Sequence, residues 1–161
     1  MSTTAFEKDT LMIELTERSK QVRRDTLKLG IPNGIYHYGS SFSVVEILIA
    51  LYDYTIDEND TVIVAKRRYW IPQTAILREK ELFGPQVGSL EYGLDAAIAQ
   101  KQQNKPGRVY VIVDDIQTQE GTFWESLLRG HRFQLDNLTV IVARTGIHCS
   151  GRMEDIMPIS D

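Results

Sequence analysis

Val109-Tyr-Val-Ile-Val113, followed by Asp114-Asp115-Ile116-Gln117, is the stretch on which the fold reading turns. A continuous apolar run without polar alternation describes a strand buried on both faces, as in parallel sheets, and the aspartate pair marks its end. Downstream, a helix from Thr122 to Arg132 and a β-branched strand from Leu138 to Val142 complete a βαβ unit. Upstream, Thr61 to Ala65 is another candidate strand, Pro72 opens a helix running to about Leu82, and Ser89 to Gln103 is a small-residue helix ended by Asn104-Lys-Pro-Gly107. Leu11, Leu15 and Val22 predict an amphipathic helix from Leu11 to Leu29, stopped by Gly30 and Pro32. A Gly- and Ser-containing loop follows over Asn33 to Ser41, and Ser43-Val-Val-Glu46 has the pattern of a capping box opening a buried helix through Tyr54. This alternation predicts an α/β fold of three layers, a mostly parallel sheet with helices on both faces and Val109 to Val113 at its centre.

A chain of 161 residues, 42% apolar and 25% charged, has the length and composition of one soluble globular domain. The apolar run Val44 to Tyr52 is interrupted by Glu46 and falls short of the roughly 20 residues that span a bilayer; Met1 to Asp9 lacks the hydrophobic core of a signal peptide. The expectation is a cytoplasmic protein without a membrane partner. A net charge of −4, with Lys and Arg dispersed, argues against nucleic acid as the main ligand. The single cysteine, Cys149, excludes an internal disulfide and a cysteine-built zinc cage.

Ligands of open α/β sheets bind beyond the carboxyl ends of the strands, which directs attention to Asp114-Asp115-Ile116-Gln117 and to Ala143-Arg144-Thr145-Gly146. A carboxylate at one strand end and a side-chain oxygen at the next suit a hard cation such as Mg²⁺ or Ca²⁺. The same aspartate pair equally suits a turn or helix cap, and the residues alone leave both readings open.

Longer motifs add a resemblance. His37-Tyr-Gly-Ser-Ser-Phe-Ser43 resembles the H-x-G-G-S-L-S segment of the transketolase family's amino-terminal, diphosphate-binding domain. Gly88-Ser-Leu-Glu-Tyr-Gly93-Leu is similar to its G-S-L-G-Q-G-L loop, and Val109 to Gly121 with Leu135-Asp-Asn-Leu138 to its run from G-D-G-E-L-Q-E-G to K-L-D-N-L. The likeness extends in order from about Ser19 to Asp155.

The resemblance implies a thiamin diphosphate site with Mg²⁺ or Ca²⁺. Metal ligands would be Asp115, Thr145 at the family's asparagine position, and the backbone carbonyl of Ile147. Cofactor contacts would come from Asp115, Gly88, Ser89, Leu90, Glu120, Lys66 and Arg68, and His37 would face substrate as the catalytic histidine. Several positions depart from the pattern. The glycines flanking the family's aspartate are Asp114 and Ile116 here; a carboxylate about 4 Å from a phosphate costs about 4 kcal/mol at an effective dielectric near 20. The S-K-G-H-A segment reads Ala65-Lys66-Arg67-Arg68-Tyr69, so arginine replaces a histidine and can hold an anion without shuttling protons. The G-Q pair is Glu91-Tyr92.

Two expectations follow. In the first, the chain is one diphosphate-binding domain, shorter than the family's usual one, and serves as the amino-terminal part of a two-chain transferase. It would move a two-carbon ketol unit between sugar or keto substrates, as a homodimer or with a second subunit carrying the pyrimidine-binding domain. In the alternative, it is a degenerate scaffold or regulator that does not bind the cofactor.

Overall fold

The computed structural model describes residues 5–35, 38–82, 84, 86–148 and 150–157. The chain divides into two compact units, one of Ile56–Trp70 with Pro85–Asp161 and one of Met1–Thr55 with Ile71–Gly84. The fold is α/β, with a parallel sheet flanked by helices, as the alternation of strands and helices predicts.

The first unit contains the sheet. Strands β1 (Thr61–Val64), β2 (Gln86–Val87), β3 (Val109–Asp114) and β4 (Leu138–Ala143) are all parallel and lie in the order β2-β1-β3-β4. Every residue of β3 is buried, which accounts for its unbroken apolar sequence. Val111 stands opposite Ile63 on one side and Val140 on the other. Val109, Val111 and Val113 share a core with Ile63, with Leu90 and Ala97 of α5 (Leu90–Gln102), and with Phe123 of α6 (Gly121–Arg132). Asn137 Nδ2 donates to the Ala97 carbonyl at 3.0 Å, and Lys101 pairs with Asp136 at 3.0 Å, so the Leu135 to Leu138 motif ties the start of β4 to α5.

Gly93 sets how closely α5 lies on the sheet. A Cβ at this position would come 2.2 Å from Val111 Cγ2, inside van der Waals contact.

The second unit is built from α1 (Ala5–Gly30), α2 (Tyr38–Phe42), α3 (Val45–Ile49) with a π-helical continuation over Ala50–Thr55, and most of α4 (Trp70–Glu79). Gly30 ends α1 and Pro32 lies in the 3₁₀ turn after it, as expected. The capping box is not formed. Ser43 Oγ donates to the Ser40 carbonyl at 2.7 Å, Val44 occupies the N-cap of α3, and Glu46 turns to α1, where Ser19 donates to it at 2.9 Å and Arg23 pairs with it at 2.7 Å. A guanidinium is a stronger partner for a carboxylate than one backbone N–H, so the ion pair prevails. Residues 38–42, expected as loop up to Ser41, are helical. Among the described residues no helix is long and apolar enough to cross a membrane.

Asp53 is the electrostatic centre of this unit. Arg18 Nε lies 2.9 Å from one carboxylate oxygen and Lys80 Nζ 2.8 Å from the other, while Arg18 also reaches Glu79 at 2.6 Å. Burial opposes ionisation of Asp53, but the hydrogen bonds from Arg18 and Lys80 outweigh it and hold the carboxyl below the usual carboxylate range.

Two stability measurements check this description. Gly93→Ala should lower the melting temperature at a cost of about 1–3 kcal/mol, although alanine is the better helix former; an unchanged or raised value would refute the close approach to Val111. Because the folded pKa of Asp53 is depressed, its contribution is complete above the unfolded value near pH ~4 and is lost as pH falls through the folded value. Asp53→Asn should therefore cost about 2 kcal/mol at pH 7 and progressively less below pH ~4, read by denaturation across pH.

Candidate functional site

The carboxyl end of β3 places two aspartates side by side in the chain, and both are buried, Asp114 at 4% exposure and Asp115 at 1%. A buried carboxylate must find donors or a cation, and each has its own set.

Asp115 is held by the loop after β4. Gly146 N–H donates to Oδ2 at 2.7 Å and Thr145 N–H to the same oxygen at 3.1 Å, while Thr145 Oγ1 lies 3.2 Å from Oδ1. Thr145 Oγ1 is also 3.5 Å from the Ile147 carbonyl oxygen. Gly146 adopts φ +70°, the left-handed turn that aims its N–H at the carboxylate.

Those distances bear on whether a cation fits. Neighbouring oxygens on an octahedral cation stand about 3.0 Å apart for Mg²⁺ and about 3.3–3.7 Å apart for Ca²⁺, from metal–oxygen distances of about 2.1 Å and 2.3–2.6 Å. Thr145 Oγ1 stands 3.2 Å from Asp115 Oδ1 and 3.5 Å from the Ile147 carbonyl oxygen, both within that span, and the Thr145 hydroxyl donates to Oδ1, the oxygen that the loop N–H groups do not reach. The donor set therefore fits a hard divalent cation, with one charged ligand and two neutral ones. Among the described residues no group of three or more His, Cys, Asp or Glu could hold a metal.

Asp114 has a different environment. Its Oδ2 is paired with the Lys66 ammonium, which reaches it from beyond the end of β1. Gln117 N–H donates to Oδ1 at 3.0 Å, and Asp114 N–H donates to Gln117 Oε1 at 3.2 Å, closing a reciprocal turn. Lys66, expected to meet cofactor phosphate, is thus engaged by the chain's own carboxylate.

Ser89, Leu90 and Glu120 line one crevice with Glu91, Gln117 and Thr122, so three expected cofactor residues are gathered at this strand end. Gly88 lies beside them, its N–H donating to the Val64 carbonyl at 3.2 Å. The crevice measures about 20 Å³, room for about one water and far less than a diphosphate needs. Ser89 caps α5, accepting from Tyr92 N–H at 3.3 Å. Its hydrogen bond to Glu91, helped by Thr122 and Arg129, keeps the Glu91 carboxyl below the usual range. Arg68 is exposed in the turn Arg67–Tyr69. His37 and Cys149 lie outside the described residues. Nothing in the sequence marks Gly146 as a donor to Asp115. Gln117 as partner of Asp114 has a faint signal, an amide three residues after an aspartate at a strand end.

No family model matches the chain. Among curated proteins it is similar to an apulose-4-phosphate transketolase subunit from Actinobacillus succinogenes, 28% identical over 187 aligned residues covering 89% of this chain and 67% of the relative. The like-named protein from Phocaeicola vulgatus is 31% identical over 70 residues, 44% of this chain and 25% of the relative. The 6-deoxy-6-sulfo-D-fructose transketolase subunit SqwG of a Clostridium species is 24% identical over 187 residues, 91% of this chain and 68% of the relative. The chain thus spans from a quarter to about two thirds of the length of these relatives. At low identity, they support a transketolase-like family and a transketolase-like subunit.

The loop geometry predicts that Asp115→Ala leaves the Thr145 and Gly146 N–H groups without their acceptor. The expected cost is about 2–3 kcal/mol in metal-free buffer, read by thermal or denaturant unfolding. Unchanged stability would show that the β4 loop does not depend on this carboxylate.

Proposed function

We propose that the chain is the diphosphate-binding subunit of a two-chain transketolase-like enzyme, which transfers a two-carbon ketol unit and completes its site with a second subunit. The observation that carries this reading is the grouping of oxygens at the positions that the family resemblance selects, with Thr145 Oγ1 3.2 Å from Asp115 Oδ1 and 3.5 Å from Ile147 O. Asp115 supplies the charge, and Thr145 and Ile147 complete the protein's share of the coordination. Thiamin diphosphate, when bound, supplies the electron sink for cleaving and forming the carbon–carbon bond. This chain's residues bind and orient: Ser89, Leu90 and Glu120 border the cofactor approach at the end of β3, and His37 contacts substrate. The relatives' names specify ketoses bearing a phosphate or a sulfonate. An anionic sugar is accordingly the proposed substrate class, with the exposed Arg67 and Arg68 as its counter-charges. The remaining domain functions, the pyrimidine site among them, fall to the second subunit or a second copy.

The closed crevice and the Lys66–Asp114 pair favour a second reading, a scaffold that keeps the fold without cofactor. Titration calorimetry with thiamin diphosphate and Mg²⁺, with and without the second subunit, separates the two. For the enzyme reading, binding should vanish with a chelator and in folded Asp115→Ala. Thr145→Asn should tighten it by about tenfold, since an amide oxygen is a better ligand than a hydroxyl. No binding by the wild type with its partner present would establish the scaffold reading, and metal-dependent binding that survives Asp115→Ala would remove the assigned site.

A further inference from the structure

The Lys66 ammonium and the Gln117 backbone N–H converge on a single carboxylate, that of Asp114. Lys66 follows β1, Asp114 ends β3, and Gln117 begins the short turn beyond it, so all three stand at the carboxyl ends of neighbouring parallel strands. Ligands enter open α/β sheets at that end. Lys66 pairs with Oδ2 and the Gln117 N–H donates to Oδ1, so the two donors hold the two oxygens of one anionic group, as two oxygens of a phosphate would be held, and here a carboxylate of the chain itself fills the position. The Lys66 side chain is 19% exposed and that of Asp114 6%, so the pair is screened little by solvent. The crevice beside Gln117 and Glu120, at about 20 Å³, is too small to admit an anion of its own.

We infer that Lys66 and the Gln117 N–H form an anion cradle for a phosphate group, and that Asp114 occupies it as an internal competing anion. The cradle opens only in the fraction of molecules whose Asp114 carboxylate has left it, and the apparent affinity for phosphate is lowered by that fraction. This differs from simple repulsion by Asp114, because it assigns the binding energy to Lys66. It rests on the proposed function only for the identity of the anion as a cofactor diphosphate; the cradle itself requires no metal.

The test is titration of the full chain with inorganic pyrophosphate in the absence of divalent metal. Asp114→Asn, which removes the competing charge without opening a cavity, should bind about tenfold tighter than wild type or better. The double variant Asp114→Asn with Lys66→Met should lose that gain. If Asp114→Asn fails to fold, judged by its melting curve, Asp114→Gly takes its place in both variants. A folded Asp114 variant with no gain overturns the inference, as does a gain that persists without Lys66. The outcome is separable from that of the proposed function. Metal-free pyrophosphate bound through Lys66, with no thiamin diphosphate bound by any variant plus Mg²⁺, would keep the cradle and remove the cofactor reading. Metal-dependent thiamin diphosphate binding with no gain in Asp114→Asn would do the reverse.

Discussion

Two adjacent carboxylates are buried at the end of a strand that is itself buried along its whole length, and each must be satisfied separately. Asp114 is the last residue of β3 and Asp115 the first of the turn beyond it, and each carboxylate has its own donors. Asp114 draws in Lys66 from the β1 end and Gln117 from its own turn, and Asp115 draws in Thr145 and Gly146 from the loop after β4. The conformations of the loops at the ends of β1, β3 and β4 therefore follow from one requirement, that no charge be left unpaired in a medium of low dielectric. The segment on which the proposed function rests is also the one that organises the sheet's carboxyl edge.

The fold is legible in the sequence wherever burial imposes a long pattern. The unbroken apolar run of β3, the β-branched β1 and β4, the Gly30 stop of α1 and the start of α5 at Ser89 each express a constraint local to the chain, and each forms within a residue or two of its expected place. What escapes depends on partners distant in sequence. Strand β2 and the hairpin of β5 (Ile147–His148) with β6 (Gly151–Arg152) are two-residue pairings, too short to show alternation. Ser43 and Glu46 match a capping box by spacing, yet Glu46 is claimed by Arg23 on another helix. In the candidate site, family resemblance predicts Asp115, Thr145 and Ile147 as neighbours, and the loop after β4 brings their oxygens together. The engagement of Lys66 by Asp114 is not legible, because no spacing rule connects residues so far apart.

The departures from the family motif also have different physical weights. Asp114 in place of a flanking glycine suggests, by itself, an electrostatic penalty toward diphosphate. The resemblance aligns Lys66 with the lysine of the S-K-G-H-A segment, so that ammonium is common to both, and Asp114 adds one formal negative charge relative to the motif. Pairing with Lys66 offsets part of that charge at short range. The rest of the cost is local: a side chain in the path of approach and a cation already engaged. Ile116 has no such compensation, since a branched apolar side chain takes space without offering an interaction to a phosphate.

Charge and local contacts act differently on the two ligands proposed for this strand end. Metal affinity is set by charge and oxygen spacing, and in the proposed site Asp115 supplies the charge, with Thr145 Oγ1 3.2 Å from its Oδ1 and 3.5 Å from Ile147 O. Anion affinity is set by donors that are free to point outward, and here the donors nearest to the strand end point inward, at Asp114 and Asp115. Breaking the Lys66–Asp114 pair leaves a buried carboxylate uncompensated, a loss of about 3–5 kcal/mol where pairs of this kind are cut. An incoming anion must recover that loss before it contributes any net affinity.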